Sequence, residues 1–206
     1  MAENNMSIYT TELNNLPDPA KNYLFQAIIV PEEGTPLATL FKSIGGTEQF
    51  MLRCKKASIP KKSFEGNFET HYMGTKKKYP GKPVTDGDMT LEFDEFQDLI
   101  TTQMLTAWQN LISDSSINED GGDITSSGSQ LSGGSCSNYM KDYTAKIQIV
   151  LYDSTKKKRL PYGWICYQCW PNEVSEVSLD AAGSEKVVRS CTFSYNTWQM
   201  VDANKI

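Results

Sequence analysis

The sequence has little of what most enzymatic and metal chemistry requires. Only one histidine, His71, occurs in 206 residues, so a nucleophile–histidine pair has a single candidate and no motif around it. With no second C-x-x-C and no partner histidine, a zinc site lacks ligands; neither a metal nor a cofactor is expected. An overall basic excess is missing too. Twenty Lys and Arg stand against 25 Asp and Glu, a net charge of −5, which argues against a globally basic nucleic-acid binder. No run approaches the roughly 18 apolar residues that would suggest a membrane helix. The opening MAENNMSIYTTELNNLPDPA has neither the basic start nor the apolar stretch of a secretory signal. The expectation is a chain kept in a cytoplasm-like compartment, without membrane insertion.

Cysteine is also scarce: five residues, an odd number, which gives a disulfide framework little support. The one close pair, Cys166 and Cys169, sits in YGWICYQCW, which reads as extended. Three strand steps of ~3.3 Å place the two α carbons about 10 Å apart, too far for a bridge. Odd spacing also sends the two thiols to opposite faces of a sheet. Structural cysteines are therefore expected. The best enzymatic alternative, a thiol oxidoreductase acting through Cys166 and Cys169, requires one thiol with a pKa well below about 8.5.

Aromatic residues, by contrast, are plentiful: 8 Phe, 10 Tyr and 4 Trp supply the apolar surface for one core. YLFQAIIV, Tyr23 to Val30, reads as a buried strand stopped by Pro31, and the Pro- and Gly-bearing residues 31–48 as a loop. QFMLRCKKASIP over 49–60 reads as a second strand. Ser63 to Met73 reads as a third, with Phe64, Gly66, Phe68, Thr70 and Tyr72 on one face. Glu65, Asn67, Glu69 and His71 fall on the other, which suggests a packed face and a wet one. Residues 74–88 read as an extended loop or loose hairpin, and Asp88 to Phe93 as a short strand.

The period then changes to helical. Phe96, Leu99, Ile100, Met104, Ala107, Trp108 and Leu111 predict an amphipathic helix over 95–112, with Asp94 and Gln97 as a capping box. Residues 113–138 differ in composition: 14 of 26 are Ser or Gly, four are acidic and none is basic, the pattern of a flexible insertion. Tyr143 to Tyr152 and Leu160 to Trp170 form a hairpin across the turn at Lys156, Lys157, Lys158 and Arg159, ended by Pro171. Val174 to Leu179 and Val187 to Met200 supply the last strands. The fold class expected is mainly β: an antiparallel sandwich or barrel of two packed sheets with one flanking helix.

Charge is unevenly spread. Residues 51–82 hold nine Lys and Arg against Glu65 and Glu69, net +7, which leaves −12 on the remainder. Lysine-protected strand edges explain this, and so do complementary surfaces between copies of one chain, which meet head to tail in rings or filaments. A nucleic-acid patch has the right sign but lacks an aromatic–basic recognition motif.

The order and spelling of these pieces resemble the tail tube proteins of contractile-tailed bacteriophages. NYLFQAIIV resembles that family's first strand, and FMLRCKKASIP with GTKKKYPGKPVTDGDMTLEF its second block. LTAWQNLI, YTAKIQIVLYD, CWPNEVSEVSLD and FSYNTWQMV follow in the same order. Trp170 to Val174 and the closing F-S-Y-x-T-W are the most specific parts. Together the matches span roughly 23–112 and 143–201.

The resemblance implies a structural subunit rather than an enzyme. Residues 1–22 would be an N-terminal arm, 23–201 a single tail-tube domain carrying the 113–138 insertion, and 202–206 a C-terminal tail. Six subunits would form a ring whose inner strands join into one barrel, and rings would stack into the hollow tube through which the genome leaves during sheath contraction. Sheath, baseplate, tail-terminator and tape-measure proteins would be the partners, with DNA passing through without specific binding. The place would be the virion tail, assembled in the host cytoplasm. Glu65, Asn67 and Glu69 would face the lumen, and Lys76, Lys77, Lys78 and Tyr79 would reach a neighbouring subunit. A baseplate tube initiator and the tube protein of a type VI secretion or pyocin-type machine share this implied fold. A monomeric β-sandwich binding module is the alternative from another class.

Overall fold

The computed structural model describes residues 19–85, 87–114, 136–180 and 186–203. The 16-residue strand β11 (Arg159–Val174) organises the rest. Its first part pairs with β10 (Ala145–Tyr152) on one side and with β13 (Thr197–Asp202) on the other. Its last residues pair with β12 (Val188–Ser194), which continues through β7 (Asp88–Asp94) to β2 (Cys54–Ala57). The strand β1 (Phe25–Pro31) closes the row beyond β10. Every one of these ladders is antiparallel, and the two sheets share β11 and one core.

Period-two alternation explains the best-formed strands. Ala145, Ile147 and Ile149 of β10 and Met89, Leu91 and Phe93 of β7 are all buried, while the residues between them face outward or are half-buried. Pro171 does not end β11. It lies buried at the point where the strand passes from one sheet to the other, opposite Phe193 and beside a register shift. A residue without an N–H is tolerated at such an irregularity. Residues 175–180 have no strand, and the single strand expected over 187–200 is two, β12 and β13, broken at Tyr195 and Asn196 and paired with different parts of β11.

Four helices occur among the described residues where one was expected. The first, α1 (Pro36–Ser43), lies in the expected loop. Its start is well signalled: Thr35 Oγ1 accepts the Ala38 N–H at 3.2 Å and proline occupies the first turn, the position where its missing N–H is harmless. Leu37, Ala38 and Phe41 are its buried stripe. The second, α2 (Thr47–Arg53), takes the first half of the expected 49–60 strand and leaves only Cys54–Ala57 extended.

The third helix, α3 (Ile100–Ile112), starts later than expected, after a left-handed Leu99. Asp94 is not its cap; that residue belongs to β7 and pairs with Lys186 at 2.7 Å. Glu95 takes the role instead. Its two oxygens accept the N–H groups of Thr101 (3.3 Å) and Thr102 (2.8 Å), which satisfies donors the helix leaves free. The short α4 (Met140–Tyr143) sits against α3, whose Trp108 Nε1 donates to the Tyr143 carbonyl at 2.6 Å.

An aromatic cluster joins helices to sheet. Trp108 meets Phe41 edge-on at 5.4 Å and Phe193 at 5.6 Å, while Phe50 meets Phe93 edge-on at 5.1 Å. These rings are essentially inaccessible, and truncating one such ring costs about 3–5 kcal/mol. Two-residue strands β8 (Ser113–Asp114) and β9 (Cys136–Ser137) bracket the Ser/Gly-rich insertion; its interior, 115–135, lies outside the described residues, as does most of the proposed N-terminal arm. At the other end, β13 runs to Asp202 and Ala203 is buried.

Candidate assembly surface

Residues 62–85 form a two-stranded ribbon that makes its contacts chiefly within itself. Its stem pairs β3 (Lys62–Glu65) with β6 (Lys82–Thr85), and its outer part pairs β4 (Phe68–Tyr72) with β5 (Thr75–Tyr79). The third strand expected from sequence is thus two strands, and the expected loop 74–88 supplies their partners. Met73 and Gly74 turn the tip with φ of 46° and 79°, the two positive values of a tight hairpin turn. Between stem and outer part the ladder is interrupted. Gly66 takes φ of 67°, and the Gly81 N–H is accepted by Asn67 Oδ1 at 2.8 Å. The strands approach so closely here that a Cβ on Gly81 would lie 2.0 Å from the Glu65 carbonyl oxygen. A straight ribbon of this length would reach on the order of 35 Å.

Directly opposed residues share a face of the ribbon. Glu69 opposes Lys78 and His71 opposes Lys76 on one face; Phe68 opposes Tyr79, Thr70 opposes Lys77 and Tyr72 opposes Thr75 on the other. The first face is ionic: Glu69 pairs with Lys76 and, at 3.4 Å, with Lys78. The second is aromatic. Phe68 and Tyr79 stack at 5.2 Å with ring planes 12° apart, and Lys77 Nζ lies 5.2 Å from the Tyr79 centroid. The packed-and-wet division expected for 63–73 does not hold: every residue of β4 is exposed, and no other element among the described residues covers either side. His71 is simply one of these exposed residues.

All seven residues singled out from sequence therefore lie on this ribbon. The structure brings Glu69 together with Lys76 and Lys78, leaves Tyr79 against Phe68 and Lys77, engages Asn67 with Gly81 and sets Glu65 opposite Lys82. The ribbon's exposed apolar tip, Tyr72 and Met73, was not among the residues singled out from sequence, although Gly74 between the β-prone runs ending at Tyr72 and starting at Thr75 was a usable hairpin signal.

The thiols are arranged differently from the expectation. Gln168 adopts φ of 54°, and the step from Ala145 to Ile147 on β10 faces the step from Cys169 to Cys166 on β11. That extra residue is a β-bulge, and it reverses the parity of the spacing. Cys166 and Cys169 are both buried, and their side chains hydrogen-bond to each other. This hydrogen bond and burial push the Cys169 pKa up; burial does the same for Cys191, and mainly for Cys54, pushed up to about 12. None of these three is poised as a thiolate nucleophile. Among the described residues no His, Cys, Asp and Glu group could hold a metal.

In the seven-stranded sheet, β1, β2 and β13 have a side with no strand partner among the described residues. Such edges invite pairing with another chain, and Met200 on β13 is exposed. The sequence profile of the phage tail tube proteins matches residues 21–201. The chain belongs to that family. Phage tail tube proteins are structural components of the virion tail rather than enzymes. No curated protein matches the chain with comparable significance.

Solved structures share the fold of this tail tube family member. A chain of the sheath–tube complex of an extracellular contractile injection system in the extended state is 16% identical. The alignment covers 94% of this chain and 98% of that one, with a TM-score of 0.53. A chain from the tube-terminating cap of the anti-feeding prophage is 17% identical, covering 91% and 94%, with a TM-score of 0.54. One from the six-fold symmetrised baseplate of the same particle is 12% identical, covering 91% and 98%, with a TM-score of 0.56.

Proposed function

We propose that this tail tube protein is the repeating subunit of the tube of a contractile tail. Six copies form a ring, their sheet edges join into one continuous barrel, and the rings stack into a conduit for the genome. A barrel of so many strands encloses an aqueous channel rather than a packed interior. The observation that carries the reading is the exposed ribbon over 62–85, ionic on one face and aromatic on the other, beside unpaired strand edges. A ribbon left uncovered by the described residues of its own chain gains cover on a neighbouring subunit. Lys76, Lys77, Lys78 and Tyr79 then contact that neighbour, and the pairs to Glu69, exposed and individually worth about 0–1 kcal/mol, exchange readily for intersubunit ones.

Glu65, Asn67 and Glu69 are assigned to the lumen, where acidic groups repel phosphate and DNA slides without releasing counterions. Sheath outside, tape-measure protein within, and baseplate and terminator at the ends complete the proposed set of partners, with assembly in the host cytoplasm. The likeness to a sheath–tube complex supports the contractile setting.

The test is negative-stain electron microscopy of the purified protein over a range of concentration and salt. Hollow six-fold rings or tubes are expected; monomers under every condition overturn the reading. The likeness to a baseplate chain favours one second reading, a tube initiator. Rings that never stack into tubes would select it.

A further inference from the structure

Where sheet edges join around a ring, the ends of the strands point along the tube, with a tilt, toward the rings on either side. The two ends of the sheet built on β1 and β10 differ in charge. Phe25 opposes Leu151 and Pro31 opposes Ala145, so the turn at 153–158 lies at one end and residues 32–33 at the other. The eight residues of β10 separate these ends by about 23 Å.

The turn end is basic. Lys156, Lys157 and Lys158 are exposed, and no ion pair engages them among the described residues. A tight turn presents them: the Lys156 N–H donates to the Asp153 carbonyl at 2.8 Å, and the Asp153 N–H to the Lys158 carbonyl at 2.9 Å. The Asp153 carboxylate accepts the Ser154 N–H at 2.6 Å and the Thr155 hydroxyl at 3.0 Å, which turns it onto the loop rather than the lysines. Lys21, ahead of β1, lies at the same end, as does Asp202 opposite Tyr162. At the other end Glu32 and Glu33 leave β1 exposed, again in no ion pair. Lys146 shares a small hollow with Glu32 without pairing to it, and Lys141 and Asp142 of α4 offset each other.

We propose that Lys157 and Lys158 of one subunit meet Glu32 and Glu33 of a subunit in the next ring, and that this contact sets the polarity of stacking. The inference rests on the tube reading and names a contact between its rings. Opposite charges at opposite ends of one subunit make a head-to-tail contact, which propagates instead of closing. The ribbon is the other basic element, but Lys76 and Lys78 have Glu69 as a partner in their own chain, whereas Lys157 and Lys158 have none. A single exposed pair is weak; repetition in every subunit of a ring makes the contact effective.

The experiment compares wild type with two full-length variants, Lys157→Glu with Lys158→Glu, and Glu32→Lys with Glu33→Lys. Tubes are pelleted and viewed by negative stain at low salt, where surface charge is least screened. All four positions are exposed, so circular dichroism should match wild type. Either variant alone sets like charges across the junction: rings should form, and the yield of tubes should fall about tenfold or more. Equal amounts of the two variants restore opposite charges, and tubes should return. Wild-type yields from either variant alone overturn the proposal and leave the tube reading standing, as does a mixture that fails to stack. Variants that form no rings overturn it too, because they place these charges within the ring. Wild type without rings or tubes overturns both readings.

Discussion

Arg53 holds Asp98 through both carboxylate oxygens, Nη1 to Oδ1 at 2.8 Å and Nη2 to Oδ2 at 2.5 Å. This fork ties the end of α2 to the loop that leads into α3, and the guanidinium also lies 4.9 Å from the Phe96 ring centroid. The hydrogen bonds from Arg53 pull the Asp98 pKa below its ordinary value of 3.8 and, with Asp98 ionised, raise that of Arg53. A depressed carboxylate stabilises the fold above its unfolded pKa, and that stability is lost as pH falls through the folded value. Asp98→Asn should therefore lower the melting temperature at neutral pH. The gap to wild type should narrow below pH 3.8, as thermal melts across the acid range will show.

Trp108 offers a packing test. Trp108→Ala should cost about 3–5 kcal/mol in denaturant melts. Trp108→Phe keeps part of the ring packing but leaves the Tyr143 carbonyl without its partner, a loss of about 1–3 kcal/mol.

Gly81→Ala probes the ribbon alone. The added methyl meets the Glu65 carbonyl, so the stem and outer part cannot keep their close approach. Because the ribbon packs chiefly on itself, amide exchange should rise over 62–85 while the main melting transition stays in place. Tube or ring formation should fall with it.

Charge reversal of Lys76, Lys77 and Lys78 together to glutamate should abolish assembly without altering the monomer's circular dichroism. It sets two acidic groups, at positions 76 and 78, beside Glu69, a third on the aromatic face, and removes the cations offered to a neighbour. Normal tubes from this variant would remove the ribbon from the interface.

Thiol chemistry should be slow. Cys169 and Cys191 should alkylate only on unfolding, and Cys54, with its pKa pushed up to about 12, should react measurably only well above neutral pH. Rapid modification of Cys166 or Cys169 in the native protein at pH 7, mapped by mass spectrometry, would revive the oxidoreductase alternative.

Short-range pattern was enough for some of this protein. The alternation in β10 and the apolar stripe of α3 lie in contiguous residues, where local periodicity states which side must be buried, and the tail tube resemblance lies in the order of short segments along the chain. Helix α1 was equally legible: Thr35 and Pro36 before Leu37, Ala38 and Phe41 spell a start and a stripe, but the glycines around them favoured a loop. Other features depend on residues far apart in the chain. Whether Pro171 ends a strand depends on Phe193 opposite it, and whether Cys166 and Cys169 share a face depends on how Ala145 and Ile147 of β10 are spaced against them. Asp94 was an available cap until Lys186 and the β7–β12 ladder engaged it. The ribbon was divided at Gly66 by the approach of Gly81 from the returning strand. Sequence by itself determined which segments carry apolar faces, since that is set by neighbours a few residues away. Pairing, register and the side on which a charge finds its partner were decided only in the tertiary structure, because hydrogen bonds and ion pairs there join groups tens of residues apart.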